Sequence, residues 1–65
     1  MKLKDIINLF YSTIELVDLT TNSVIKTVTP SYKMLLQKWF DKPVYAIIAH
    51  KNKIIIITEG EEHEN

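Results

Sequence analysis

Lys53-Ile54-Ile55-Ile56-Ile57-Thr58 decides the fold. Isoleucine is stiff at χ1 and suits an extended, pleated backbone. Successive side chains on a strand point to opposite faces of a sheet. Ile54 and Ile56 therefore share one side, and Ile55 and Ile57 the other. A strand with one wet face alternates apolar and polar residues, and this one does not. Working backwards, Lys51-Asn52 reads as a two-residue turn, preceded by a strand from Val44 to His50. Along it Val44, Ala46 and Ile48 point one way, and Tyr45, Ile47 and Ala49 the other. Both faces of this hairpin are apolar.

Upstream lies a second hairpin pattern. Thr13 to Leu19 reads as a strand, with Ile14 and Leu16 flanking Glu15. Asp18-Leu19-Thr20-Thr21-Asn22 is a strong turn signal, since Asn tolerates the left-handed region and Asp can bond to its own turn. Ser23 to Val28 follows as a β-branched strand. Two helices complete the set. Leu3, Ile6, Ile7 and Phe10 fall on one helical face, predicting a short helix from Lys4 to Phe10. Thr29-Pro30-Ser31 reads as a helix start, because proline's missing N–H costs nothing there. Tyr32, Leu35, Leu36, Trp39 and Phe40 then form an apolar stripe, with Lys33 and Lys38 off it. Pro43 closes the segment. The predicted order is α-β-β-α-β-β. It gives an α+β domain over residues 1–60, a four-stranded, mainly antiparallel sheet with both short helices on one face. Residues 61–65 read as an acidic disordered tail.

Two short helices on one face leave the other bare. Monomers seldom expose a large apolar patch, and a run with high β-propensity and no charge is prone to aggregate. A partner on that face resolves the conflict, and a homodimer is the commonest such partner. The expected interface is Tyr45, Ile47, Ala49, Ile55 and Ile57. The competing arrangement splits the helices between the two faces and covers both within one chain.

Composition narrows the function. Sixty-five residues make one domain, too small to be robust without added support. There is no cysteine, so thiol catalysis, disulfides and cysteine zinc sites are excluded. The two histidines, His50 and His63, lie far apart in sequence and make a poor metal pair. No nucleophile elbow surrounds Ser12, Ser23 or Ser31, and Gly60 is the only glycine, so no phosphate loop exists. His50 reads as a solvated strand-end residue. The expectation is a non-enzyme without a cofactor. No apolar run can span a bilayer and no export signal is visible, which predicts a cytoplasmic protein.

Formal net charge is zero. Residues 1–58 nevertheless carry eight lysines against four acids (Asp5, Glu15, Asp18 and Asp41), a net of +4. All basic residues are lysine. Arginine is the usual bidentate reader of bases and phosphates, so sequence-specific nucleic-acid reading is not expected. Lys42, Lys51 and Lys53 with Trp39 and Tyr45 could form a non-specific single-strand surface. The ordinary reading of those lysines is solubility and the guarding of strand ends.

Ile, Lys and Asn, whose codons are rich in A and U, supply 22 of the 65 residues, pointing to an AT-rich genome. The layout is suggestive too. Lys2-Leu3-Lys4-Asp5-Ile6-Ile7-Asn8-Leu9-Phe10 is followed by Ile14-Glu15-Leu16-Val17-Asp18, a polar turn, a second strand and a helix. Lys42-Pro43-Val44-Tyr45-Ala46-Ile47 and the isoleucine strand complete it. Over nearly the whole chain this resembles small accessory proteins of phages and prophages of low-GC Gram-positive bacteria. Those often carry Gly where this chain has Asn22. The resemblance implies a small protein that binds a host or phage protein, such as a stoichiometric inhibitor of a host antiviral defence system. The alternatives are a nucleic-acid-binding accessory protein and a structural subunit.

Overall fold

A computed structural model describes residues 1–60; the residues read above as an acidic tail, 61–65, lie outside the described residues. The strands are β1 (Thr13–Asp18), β2 (Ser23–Val28), β3 (Val44–Ala49) and β4 (Lys53–Thr58). They form one mixed sheet in the order β2-β1-β4-β3. The β1–β2 and β3–β4 pairs are antiparallel hairpins. The central β1–β4 pair is parallel, running from Thr13 opposite Lys53 to Asp18 opposite Thr58. The predicted α+β class and mainly antiparallel sheet hold, with one parallel seam joining the hairpins.

Both turns follow from their residues. At the first, Asn22 sits at φ 57° and its N–H donates to the Asp18 carbonyl at 2.7 Å. The Asp18 carboxylate accepts from the Thr21 N–H at 3.0 Å and the Thr21 hydroxyl at 2.9 Å. At the second, the His50 N–H donates to the Lys53 carbonyl at 2.9 Å across Lys51-Asn52.

The helical segments differ from expectation in kind. The first is a four-residue α-helix, α1 (Leu3–Ile6), continued by a 3₁₀ turn over Ile7–Leu9. The Asp5 carboxylate accepts from the Lys2 N–H at 2.9 Å at its start. The second, Pro30–Trp39, is 3₁₀ rather than α, kinked at Tyr32. Its bonds run i to i+3: Tyr32 N–H to the Thr29 carbonyl (2.9 Å) and Phe40 N–H to the Gln37 carbonyl (3.2 Å). A 3₁₀ helix has three residues per turn, so the inward positions are Pro30, Lys33, Leu36 and Trp39. Burial follows that period: Leu36 is fully buried, Lys33 and Trp39 are half-buried, and Tyr32 and Leu35 are exposed. The predicted α stripe is corrected on this point. The Lys33 ammonium lies 5.2 Å from the centre of the Tyr11 ring.

The two ends of this helical layer hold each other. Leu3 and Lys4 donate their N–H groups to the carbonyls of Lys42 (3.0 Å) and Phe40 (2.9 Å). These are unpaired donors of one helix start meeting carbonyls past another helix end. Leu3, Ile6, Ile7 and Leu36 pack with Ile14, Leu16, Val28 and Ile56 into one core. Both helical segments thus lie on one face, as predicted.

Candidate interaction surface

Residues directly opposite on neighbouring strands share a face, so the register assigns every strand side chain. On the helix-covered face one row runs Val28, Ile14, Ile54, Ala49 and the next Lys26, Leu16, Ile56, Ile47. On the helix-free face one row runs Val24, Val17, Ile57, Ala46 and the next Thr27, Glu15, Ile55, Ile48. Thr13 and Lys53 end that face. No described element lies across it. Val17, at its centre, is 8% exposed. Towards the edges Val24 is 53% and Ile48 44% exposed.

Polarity on this face is confined to its second and third rows. The Lys53 ammonium meets the Glu15 carboxylate at 2.6 Å, a half-buried ion pair across the parallel seam. Each cancels the other's charge beside Ile55, leaving a surface of low net charge.

Tyr45, Ile47, Ala49, Ile55 and Ile57, expected together as the interface, do not share a face. Ile47 lies opposite Ile56 and Ala49 opposite Ile54, both on the helix side. Ile55 and Ile57 are joined instead by Ile48 and Ala46. The two-residue turn dictates this: once His50 faces Lys53, Ile48 must face Ile55. That signal was present in the sequence. Tyr45 is the extra residue of a bulge between Val44 and Ala46, and 62% exposed. A bulge changes the facing parity of everything beyond it, so Val44 returns to the side of Ile47 and Ala49. No sequence signal marks this bulge.

The lysines considered for nucleic acid are separated. Lys53 is paired with Glu15. Lys42 precedes β3, whereas Lys51 sits in the turn beyond its far end. Six residues of strand at about 3.3 Å each divide the two positions. Trp39 is half-buried beneath Lys38, whose ammonium lies 5.8 Å from its ring centre. No serine hydroxyl bonds His50 among the described residues, nor do three His, Asp or Glu side chains gather there as a metal site. No helix of the described residues is long and apolar enough to cross a membrane.

One open hollow of about 290 Å³ lies between the first turn and the end of the 3₁₀ helix, lined in part by Asp18, Thr21, Ser23 and Trp39. Its hydroxyls are engaged with each other and with Asp18, Thr21 Oγ1 lying 2.7 Å from Ser23 Oγ. The helix-free sheet face therefore remains the unexplained feature. No family model, curated protein or solved structure matches this chain.

Proposed function

We propose that the chain is a small non-enzymatic protein-binding module whose helix-free sheet face meets the partner. The carrying observation is the row Val24, Val17, Ile57, Ala46, which crosses all four strands without a polar side chain. Ile55 and Ile48 extend it. Full burial of an aliphatic side chain contributes roughly 1.5–3 kcal/mol. Val24 and Ile48 are about half exposed and Ile55 and Ile57 less so, so covering what remains exposed adds a fraction of that at each position. The partner that fits is the apolar surface of another protein, with polar groups able to meet Lys53 and Glu15 at the rim. In the phage setting that the sequence resembles, it is a host or phage protein. Inhibition of a host antiviral defence system suits such a module, because simple occupancy needs no turnover.

The test is affinity capture followed by the stoichiometry of the purified complex, comparing wild type with Ile57→Glu. The expected result is a complex of fixed stoichiometry for wild type and at least tenfold weaker binding by a variant with unchanged circular dichroism. A complex that tolerates Ile57→Glu sinks the reading. So does a variant that unfolds, because the face would then serve the chain's own core.

A further inference from the structure

The sheet has two outer edges, β2 and β3. Their sequences treat solvent differently. β2 carries the exposed Lys26 in its middle, a charge of the kind that guards an edge against pairing. β3, Val-Tyr-Ala-Ile-Ile-Ala, has no charge and no proline.

Bond directions along β3 follow from its hairpin. The His50 N–H points at β4, donating to Lys53. In an antiparallel ladder alternate residues turn their polar groups inward and outward. Ile48 therefore faces β4 with its backbone, and Ile47 and Ala49 turn theirs to the open edge. Val44 also turns outward, but its N–H is taken by the Met1 carbonyl at 2.8 Å, and Lys2 bridges Pro43. The N-terminal segment thus closes the edge as far as Val44. From Tyr45 to Lys51 no described element pairs with it. The midpoint of that free stretch is Ile48.

We infer that two copies of the chain pair antiparallel along β3, about a two-fold axis at Ile48, joining their sheets into one. In this register Ile47 faces Ala49 of the second copy, and Ala49 faces its Ile47. Each such pair exchanges both backbone bonds, so the outward groups of both copies are satisfied. Ile48 meets its own copy across the axis as a non-hydrogen-bonded pair, with Cα atoms about 4.5 Å apart. The second copy's turn, Lys51-Asn52, arrives beside Tyr45 and Val44, where the N-terminal segment ends. The free edge is used over its whole length and no further. The strand is also uncharged throughout, so no like charges face one another. The contact uses edge backbone and does not rest on the docking face; it leaves that face open and joins two of them at Ile48.

The experiment is solution mass by light scattering over a dilution series, with disulfide trapping beside it. Ile47→Pro removes one outward donor, a change an edge strand tolerates. The chain has no cysteine, so Ile48→Cys reports the axis alone, with Lys26→Cys on the other edge as control. The expected result is twice the 7.6 kDa chain mass for wild type. Folded Ile47→Pro should have the single mass, and Ile48→Cys but not Lys26→Cys should oxidise to a covalent dimer. Should Ile47→Pro fail to fold, the trapping pair decides alone. A single-chain mass at every wild-type concentration overturns the inference, as does Ile48→Cys that oxidises no faster than Lys26→Cys. A dimer lost in Ile57→Glu but kept in Ile47→Pro also overturns it. That result would make a second copy the occupant of the docking face and leave the binding reading standing.

Discussion

Asn22 stands at φ 57°, the one non-glycine residue among those described in the left-handed region. Most side chains lose roughly 1–2 kcal/mol there, while Asn and Gly are tolerated. Asn22→Ala should therefore lower the unfolding free energy by about 1 kcal/mol and Asn22→Gly should leave it within roughly 0.5, read from urea midpoints at unchanged slope. Equal losses in the two variants would mean that the Asn side chain, not the backbone angle, matters. This residue was legible because its chemistry is local: Asp18 and Asn22 each act within one turn. Tyr45 is the opposite case. Its bulge lies where β3 is bonded to β4 on one side and, at Val44, to the N-terminal segment on the other, partners that no short window of sequence contains. Gly60 is similar. A Cβ there would collide with the Thr20 side chain, a contact between residues forty positions apart in sequence.

At the scale of elements, the strands and turns were read almost to the residue, whereas the second helix was read with the wrong period. Tyr32, Leu35, Leu36, Trp39 and Phe40 satisfy an α stripe on paper. Their neighbours impose another geometry. The Phe40 and Lys42 carbonyls are drawn to Leu3 and Lys4, and the Lys42 N–H turns back to the Trp39 carbonyl at 3.0 Å. A tight 3₁₀ winding is what remains between Pro30 and that clasp. The two periods make opposite claims about adjacent residues. With 3₁₀ winding, Leu35 is solvated and Leu36 is central to the core. Leu35→Lys should change stability by no more than about 0.5 kcal/mol, and Leu36→Ala should cost about 2–5 kcal/mol, enough to unfold much of a domain this small. Comparable losses at both positions would restore the α stripe.

At the scale of the whole molecule, the two hairpins were legible but their joining was not. Nothing in either hairpin says that β4 rather than β3 lies beside β1, or that the seam is parallel. That choice places Ile14, Leu16, Ile54 and Ile56 side by side under the helical layer, and Val17, Ile55 and Ile57 on the face that no described helix covers. That this hairpin is apolar on both faces was legible in the isoleucine run, while the membership of each face required the register. A chain of this length buries only about 60% of its unfolded surface alone, and the pairing inferred along β3 makes its stability a matter of concentration. Unfolding that also separates two copies gains from dilution, so each hundredfold rise in concentration adds about 1.4 kcal/mol per chain. For a domain of this size that should raise the thermal midpoint by roughly 5–10 °C. In Ile47→Pro the slope should vanish, and its midpoint should meet that of wild type at the dilute end. Scanning calorimetry or fluorescence over that range makes the comparison directly. A wild-type midpoint that ignores concentration while the protein stays dimeric would mean that the copies separate before they unfold. The edge would then be a reversible contact between two folded chains, with little part in keeping either folded.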